Sequence, residues 1–254
     1  ILTVSMRLEN KVVIVTGAGT GIGASTAYAF AKEGSKVVLA DINKDNVCKV
    51  ANRCKEQFGA NAVGLVCDVT KDDRVEALIC SAARIFGGID VLVNNAGILT
   101  FGSLMGADIM EPYDRVVATN LRACVYLTML ATPYLVKSKG NVINISSILG
   151  RTYSGNSKYM PYCISKAGLD HFMYGAALEL QPHVNTVSPG PVKTKMLQSL
   201  VTDKLWEDNP EATALQRISE PVEVADVILF LASDKAKGVT GSNYGVDNGL
   251  LLKY

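Results

Sequence analysis

The sequence has no excess of charge of either sign and no long apolar run. Its 254 residues carry 25 Lys and Arg against 24 Asp and Glu, and this balance argues against nucleic acid or a membrane surface as a partner. The longest apolar stretches, such as residues 12–15 and 227–232, are far shorter than the roughly 20 residues that cross a bilayer. We therefore expect a soluble protein that binds small neutral molecules and has no membrane-inserted segment.

The cysteines argue against a disulfide-linked protein and against a cysteine-bound metal site. No Cys-x-x-Cys pair occurs, and the cysteines fall largely within apolar periodic segments. Buried, reduced thiols are therefore expected rather than disulfides or a metal site, and a reducing compartment, the cytoplasm, is the expected location. The six positions are Cys48, Cys54, Cys67, Cys80, Cys124 and Cys163.

No repeat, low-complexity segment or linker divides the chain. We expect a single domain over residues 8–254, preceded by a short N-terminal extension at residues 1–7. The first five residues carry no positive charge and precede Met6, which is not the pattern of a signal peptide. Residues 193–221, with the only tryptophan, Trp206, are irregular, and we expect a helical substrate flap there.

Short β-branched runs alternate with longer amphipathic stretches along the chain. The stretches are long enough for the crossover helices that parallel strands require. The pattern predicts an α/β fold, in which a parallel sheet is covered by helices on both faces. The predicted strands are residues 11–16, 36–40, 62–66, 90–93 and 141–145, with a last strand at 244–246.

A glycine-rich turn joins the first predicted strand to the first helix. The sequence there is Thr-Gly-Ala-Gly-Thr-Gly-Ile-Gly, residues 16–23. Such glycines let backbone amides approach a pyrophosphate at the positive end of a helix, although glycines also serve ordinary tight turns. Because the turn lies in the first strand–helix–strand unit, it predicts a dinucleotide site. Its predicted members are Gly17, Thr20, Gly21, Ile22 and Gly23.

The second predicted strand leads to Asp41, about 20 residues beyond the glycines. A carboxylate there accepts hydrogen bonds from the adenosine ribose hydroxyls and repels a 2′-phosphate. Thr20 stands in the turn instead of a cation, and Ile42 follows the aspartate, so NAD is predicted in preference to NADP. The alternative is that Asp41 only ends a strand or caps a helix.

Tyr162 and Lys166 are four residues apart in Tyr-Cys-Ile-Ser-Lys, and Ser147 lies upstream. On a helix the phenol and the ammonium share one face, about 6 Å apart along the axis. A neighbouring cation favours the phenolate and lowers a tyrosine pKa from its ordinary value of about 10, which suits proton exchange with a carbonyl or an alcohol. The same spacing also occurs by chance, with a half-buried tyrosine and a solvated lysine.

Together these features resemble the short-chain dehydrogenase/reductase family over nearly the whole chain, from about residue 8 to residue 249. The resemblance implies a Rossmann-type doubly wound parallel sheet of about seven strands in a single domain. It also implies a nicotinamide-dependent oxidoreductase. Further segments match the family's signatures in order: Cys67-Asp68-Val69, Asn94-Asn95-Ala96-Gly97, Asn120 within Thr-Asn-Leu, Ser147 within Ile-Ser-Ser, and Pro189-Gly190.

The family's roles, carried onto the matching positions, imply a catalytic set of four residues. Tyr162 would be the general acid and base, and Ser147, with Ser146 as the alternative, would hold the substrate oxygen. Lys166 would bind the nicotinamide ribose and lower the Tyr162 pKa. Asn120, interrupting a helix, would hold a water that links Lys166 to solvent.

The resemblance also implies cofactor contacts beyond the glycine turn. Asp68 and Val69 would contact adenine, and residues 189–194 would fold over the nicotinamide. Structural turns without a ligand are the alternative for these loop segments. The implied positions are Asp68, Val69, Asn94, Ala96, Gly97, Pro189, Gly190, Val192 and Thr194, together with Tyr162 and Lys166.

The spacing of Ser147 and Tyr162 is slightly longer than the family pattern. The loop at residues 149–161 is therefore expected to be extended beside the substrate. Tyr153 and Tyr159 lie in this loop, but neither is followed four residues later by lysine, so Tyr162 remains the predicted acid.

Two helical segments, residues 113–136 and 162–180, are apolar nearly all round. This is expected of helices that pack on a sheet with one side and on another copy of the chain with the other. The family resemblance implies a homotetramer assembled in this way.

Apolar and aromatic residues are expected to frame the substrate. Such a lining suits a hydrophobic secondary alcohol or ketone better than a charged sugar phosphate, and the alternative is that half of these residues only pack the flap. They are Leu99, Phe101, Ile148, Leu149, Tyr153, Tyr159, Met196, Leu197, Leu200 and Trp206.

Three functions remain open. The first is an NAD(H)-dependent dehydrogenase of the alcohol or hydroxysteroid type, which interconverts a secondary alcohol and a ketone. The second is a 3-oxoacyl thioester reductase that uses NADPH, against which Asp41 argues. The third is a non-catalytic NAD-binding regulator on the same fold, against which the intact set of Asn120, Ser147, Tyr162 and Lys166 argues.

Overall fold

The computed structural model describes residues 8–153, 156–180, 183–198 and 210–253. Its seven strands are β1 (Val12–Thr16), β2 (Lys36–Asp41), β3 (Ala62–Val66), β4 (Val91–Asn94), β5 (Asn141–Ile145), β6 (His183–Pro189) and β7 (Asn243–Val246). They form one sheet in the order β3-β2-β1-β4-β5-β6-β7, and every neighbouring pair is parallel. The predicted α/β fold is therefore confirmed, and the strand order reverses direction between β1 and β4, where doubly wound sheets bind ligands.

Helices cover both faces of this sheet, which explains why the strands are apolar on both sides. One face carries α1 (Gly21–Lys32), α2 (Lys44–Phe58) and α8 (Pro221–Ala232). The other carries α3 (Asp72–Phe86), α5 (Ala123–Ser138) and α6 (Met160–Glu179). Two short helices, α4 (Met110–Val117) and α7 (Lys195–Gln198), lie near the carboxyl ends of the strands. Within the described ranges, no helix is both long and apolar enough to cross a membrane.

Local sequence signals set the ends of α2. The Asn43 side chain accepts a hydrogen bond from the Asn46 amide and so caps the first turn. At the other end Gly59 adopts φ +64°, a left-handed conformation that glycine takes without a steric penalty. Asn43 therefore fixes the start of α2 and Gly59 fixes its end, before the chain enters β3.

The predicted helical segment at 113–136 is interrupted. Helix α4 ends at Val117, a π-helical turn follows at Ala118–Arg122, and α5 then begins at Ala123. Asn120, at the centre of the turn, is fully buried. The predicted interruption at Asn120 therefore takes the form of a π turn, a feature often found at functional sites.

Only part of the predicted flap lies within the described residues. That part comprises α7, a 3-10 turn at Pro210–Ala212 and the first residue of α8. Leu200 and Trp206 lie outside the described residues, as does the predicted extension at residues 1–7.

Candidate active site

A groove with a cavity of about 720 Å³ crosses the carboxyl ends of the strands. It follows the switch between β1 and β4, so the loops after several strands form its wall. Most of the predicted site residues line it: Gly17, Thr20, Gly21, Ile22, Asp41, Ile42, Asp68, Val69, Ala96, Gly97, Ser147, Tyr162, Lys166, Pro189, Gly190, Val192 and Thr194. Gly23, Asn94 and Asn120 are not among the lining residues.

The glycine turn fits a group that must approach the backbone closely. Gly17 and Gly21 adopt φ +62° and +55°, and a Cβ on Gly23 would lie 2.2 Å from the Gly17 carbonyl oxygen. Gly23 is thus required for the shape of the turn although it does not line the cavity. Thr20, the N-cap residue of α1, makes no side-chain capping hydrogen bond, so the positive end of α1 faces the groove without a capping side chain.

Asn95, which was not among the predicted site residues, holds the glycine turn in place. Its Nδ2 donates to the carbonyl oxygens of Thr16 at 2.8 Å and Gly17 at 3.1 Å. Its neighbour Asn94 is buried and donates instead to Thr128 and Asn144. Asn94 therefore joins β4 to α5 and β5 beneath the groove, while Asn95 supports the groove directly. Only the Asn-Asn-Ala-Gly motif as a whole pointed to Asn95.

Asp41 stands at one end of the groove with a fixed carboxylate. Its Oδ2 accepts a hydrogen bond from the Gly19 amide at 2.9 Å, and its Oδ1 accepts one from the Asn43 amide at 2.8 Å. A Cβ on Gly19 would lie 2.8 Å from that Oδ2, so only glycine permits this contact. Ile42 beside it is 69% exposed, which offers an apolar surface to a planar ring. Among the described lining residues the cations are Lys166 and Lys195.

The segment after β6 folds back over the glycine turn. A Cβ on Gly21 would lie 3.0 Å from the Thr194 Cγ2. Ser219 holds the segment through two backbone hydrogen bonds, donating to Pro191 at 3.0 Å and accepting from Lys193 at 2.9 Å. Residues 189–194 therefore lie beside the glycine turn at the N-terminus of α1, and their contact with the nicotinamide stays a prediction.

Tyr162 and Lys166 lie side by side on the first turns of α6. Both are buried, and the Lys166 Nζ lies 5.6 Å from the centre of the Tyr162 ring. The same Nζ donates a hydrogen bond of 2.7 Å to the Ile145 carbonyl at the end of β5. Ser147, two residues beyond that carbonyl, is also buried at the wall. The three predicted groups are therefore brought together.

The pKa values of Tyr162 and Lys166 contradict the predicted lowering of the Tyr162 pKa. Burial raises the Tyr162 pKa to about 12, against a lowering effect of the Ser147 hydrogen bond. Burial also lowers the Lys166 pKa to about 8. Both shifts favour the neutral forms, because loss of water penalises the phenolate and the ammonium alike. The expected lowering of the Tyr162 pKa by Lys166 is therefore wrong for the protein alone, in which desolvation is the largest influence on the phenol and Lys166 is not among the groups that shift its pKa.

Asn120 acts on the groove from behind. Its Oδ1 accepts from the Ile98 amide at 2.9 Å, and its Nδ2 donates to the Ile98 carbonyl at 2.9 Å and to Ser165 Oγ at 3.2 Å. It thus joins the loop after β4 to α6. A Cβ on Gly97 would lie 3.4 Å from the Asn120 Oδ1 and 3.7 Å from the Lys166 Nζ, at ordinary contact distance, so Gly97 is adjacent to both side chains.

The other end of the groove is mainly apolar. Leu99, Ile148, Leu149, Tyr153, Tyr159, Met196 and Leu197 line it, as predicted. Phe101 does not; it packs edge-on against Tyr159 with ring centres 5.1 Å apart. Thr152 and Asn156 add two polar groups that the sequence argument missed. The loop between Ser147 and Tyr162 borders this end of the groove, because it supplies most of these lining residues: Ile148, Leu149, Thr152, Tyr153, Asn156 and Tyr159.

The fold and the groove together define a dinucleotide-binding oxidoreductase of the Rossmann type. A family model described as "Enoyl-(Acyl carrier protein) reductase" matches residues 17–251. Similar proteins include the 3-oxoacyl-(acyl-carrier-protein) reductase FabG of Thermotoga maritima, 38% identical over 97% of this chain and 100% of that protein. The meso-2,3-butanediol dehydrogenase of Serratia marcescens is 36% identical, with 96% of each chain covered. The 7alpha-hydroxysteroid dehydrogenase of Escherichia coli is 33% identical, again over 96% of each.

A solved structure supports the same assignment. The crystal structure of a short-chain type dehydrogenase/reductase from Mycobacterium marinum superposes with a TM-score of 0.90, at 30% identity and with 97% of each chain covered. The chain therefore belongs to the short-chain dehydrogenase/reductase family. It is accordingly an oxidoreductase of alcohol and ketone groups that uses a nicotinamide cofactor.

Proposed function

We propose that this protein is an NAD(H)-dependent dehydrogenase that interconverts a secondary alcohol and a ketone on a hydrophobic small molecule. The observation that carries the cofactor choice is the Asp41 carboxylate, held by the Gly19 and Asn43 amides at the end of β2. A fixed negative charge at this point accepts hydrogen bonds from ribose hydroxyls and repels a 2′-phosphate.

The cofactor-binding residues have separable tasks in this proposal. The glycine turn and the N-terminus of α1 hold the pyrophosphate. Ile42, Asp68 and Val69 cover the adenine, and Val192 and Thr194 close over the nicotinamide end. When bound, the nicotinamide ring supplies the hydride donor or acceptor.

The catalytic residues handle the proton and the substrate oxygen. Ser147 donates a hydrogen bond to that oxygen, and Tyr162 exchanges a proton with it. In ketone reduction the protonated phenol, favoured by burial, donates to the developing alkoxide. In alcohol oxidation the phenolate is needed, so Lys166 must then act as the cation that favours it. Lys166 also binds the nicotinamide ribose.

The structure limits which Asn120 atom can hold the predicted relay water. Its side-chain atoms are bonded to Ile98 and Ser165, so a relay water between Lys166 and solvent would bond the Asn120 main-chain carbonyl instead. That carbonyl already accepts a contact from the Cys124 Sγ at 3.3 Å, and a carbonyl oxygen has a second lone pair for water.

A second candidate is a 3-oxoacyl thioester reductase that uses NADPH. It is favoured by the similarity to FabG of Thermotoga maritima and by the description of the matching family model. Asp41 argues against it, because a 2′-phosphate beside a fixed carboxylate is repelled. The apolar substrate end of the groove admits either an acyl chain or a compact hydrophobic alcohol.

Cofactor preference is the first experimental test. We expect the unmodified protein to have a higher kcat/KM with NAD than with NADP. The Asp41→Asn variant removes the charge but keeps an acceptor, and should reduce the NAD:NADP preference about tenfold or more. Asp45→Asn, an exposed change on the first turn of α2, serves as the control and should leave the ratio unaltered. A natural preference for NADP would overturn this cofactor assignment.

The substrate class is tested by a panel read through the absorbance of reduced nicotinamide. Apolar secondary alcohols and ketones should be turned over with higher kcat/KM than acetoacetyl thioesters. Turnover of the thioesters alone would favour the second candidate, and cofactor binding without any turnover would favour a non-catalytic regulator.

A homotetramer and a cytoplasmic location belong to the same proposal. The exposed apolar side chains of α5 and α6 would pack against another copy of the chain. The six cysteines are free thiols, which suits a reducing compartment.

A further inference from the structure

Buried polar side chains form a row on the sheet face beneath α6. Thr186 of β6 pairs in register with Asn243 of β7, and register partners in a parallel sheet point the same way. Ser188 lies two residues beyond Thr186 and therefore faces the same side. Ser146, at the end of β5, donates from its hydroxyl to the Lys166 carbonyl at 3.2 Å. The row thus ends directly behind the catalytic turn of α6.

Asp170 faces this row from α6. It lies one helical turn beyond Lys166 and two beyond Tyr162, so the three side chains share one side of the helix. Asp170 is only 8% exposed. Ser146 and Asn243 lie close enough to lower the pKa of its carboxyl, but neither meets an Asp170 oxygen with full hydrogen-bond geometry. The hydroxyls of Thr186 and Ser188 and both side-chain polar atoms of Asn243 also make no well-aligned hydrogen bond with a described residue.

So many unpaired polar atoms in one place point to internal water. Each buried polar group without a partner costs roughly 1–3 kcal/mol, and internal water is the usual partner where space allows. Water can reach the β7 end of the row, because Gly245, the register partner of Ser188, is exposed and has no atom within 4 Å of the position of a Cβ. Asp170 itself is not part of the groove wall.

We propose that Asp170 is a positioning residue for Lys166: internal water joins its carboxylate to Ser188 and Asn243, and the negative charge held there supports the Lys166 ammonium from outside the cofactor groove. The inference rests on the proposed function in one respect, that Lys166 binds the nicotinamide ribose as a cation.

The charges around the two groups support this assignment. Lys166 faces Cys124 of α5 and, on its own helix, Tyr162 and Asp170. Burial raises the pKa of Cys124 to about 11 and that of Tyr162 to about 12, so both are neutral near pH 8. Asp170 is then the remaining anion. Burial raises its pKa, while Ser146, Arg151, Lys166 and Asn243 all favour its ionised form.

The test is the pH dependence of NADH binding, followed by the fluorescence of the reduced cofactor. In the unmodified protein the Kd should rise as Lys166 loses its proton. Asp170→Asn keeps the shape but removes the anion, and should move this rise to lower pH by roughly half a unit or more. Asp226→Asn, an exposed change on α8, should leave the profile in place.

Lys166→Met separates failure of this inference from failure of the proposed function. If Lys166→Met binds NADH like the unmodified protein, the ribose-binding role of Lys166 is refuted. If Lys166→Met weakens binding but the Asp170→Asn profile coincides with that of the unmodified protein, only the role of Asp170 is refuted.

A high-resolution crystal structure of the unmodified protein tests the network even if Asp170→Asn does not fold. We expect at least one ordered water within hydrogen-bond distance of both an Asp170 oxygen and either Ser188 or Asn243. A dry interior, with Asp170 bonded directly to Ser146, Asn243 or the Arg151 guanidinium, would overturn the proposal.

Discussion

Tyr162 and Lys166 show how burial acts on neighbouring groups of opposite charge type. The loss of water raises the pKa of the phenol and lowers that of the amine, so each group is driven towards its neutral form. A neutral phenol beside a hydroxyl is a ready proton donor. In the proposed mechanism the protein alone is therefore prepared for ketone reduction, and alcohol oxidation needs additional stabilisation of the phenolate.

Replacing Tyr162 by Phe tests the assigned acid at the scale of one atom. We expect kcat to fall by about 100-fold or more, since a positioned proton donor contributes about 10²–10⁴ in rate. The NADH Kd should stay close to that of the unmodified protein, because the ring still fills its buried place. Steady-state kinetics and fluorescence titration measure the two quantities. Tyr153→Phe removes the hydroxyl of the alternative tyrosine and should reduce kcat less. A larger fall in kcat for Tyr153→Phe would identify Tyr153 as the acid.

The pKa directions predict the pH dependence of ketone reduction. The raised Tyr162 pKa of about 12 means that the required phenol is present throughout the neutral range and is lost only in strong alkali. The lowered Lys166 pKa of about 8 means that its cation is lost as the pH rises through that value. We therefore expect KM for NADH to rise above about pH 8 while kcat changes little. Initial rates measured across pH check this. A fall in kcat at a lower pH than the rise in KM would contradict the prediction.

The π turn between α4 and α5 owes its place to one side chain. Asn120 makes three hydrogen bonds to Ile98 and Ser165 while fully buried. A regular helix would displace these contacts, because the extra residue in the turn sets the direction of the side chain. The turn thereby joins the loop after β4 to α6.

Replacing Asn120 by Ala should therefore reduce stability as well as activity. We expect a loss of about 2–4 kcal/mol in the free energy of unfolding, since the Ile98 amide and carbonyl both lose their hydrogen-bond partner. Denaturant unfolding followed by circular dichroism measures this. Asn43→Ala, which removes the exposed cap of α2, should cost only about 1 kcal/mol. Equal losses in the free energy of unfolding would show that the Asn120 hydrogen bonds stabilise the protein no more than an exposed helix cap does.

At the scale of the whole molecule, α5 and α6 expose apolar side chains that a single chain leaves in water. They are Val125, Met129, Val136, Ile164, Tyr174 and Leu178, each at least 40% exposed. Large exposed apolar surfaces mark interaction sites in soluble proteins. These two helices also carry or adjoin the proposed catalytic residues, so packing against another copy would stabilise the groove.

A double variant, Met129→Glu with Leu178→Glu, tests the proposed tetramer. Buried charges facing their own copies would repel, so sedimentation should show a smaller assembly than for the unmodified protein. Met105→Glu is the control, because Met105 is 99% exposed and lies outside both helices. A monomeric mass for the unmodified protein at micromolar concentration would refute the tetramer.

The sequence by itself determined the parallel sheet, the glycine turn, Asp41 at the end of β2 and the Tyr162–Lys166 pair, because each depends on local periodicity or on short spacing. Only the tertiary structure decided which groups surround them. The Ile145 carbonyl at Lys166, the Ile98 backbone at Asn120 and the polar row behind Asp170 come from distant parts of the chain. Burial and hydrogen bonding depend on those distant partners, so the direction of the Tyr162 pKa could not be obtained from a spacing of four residues.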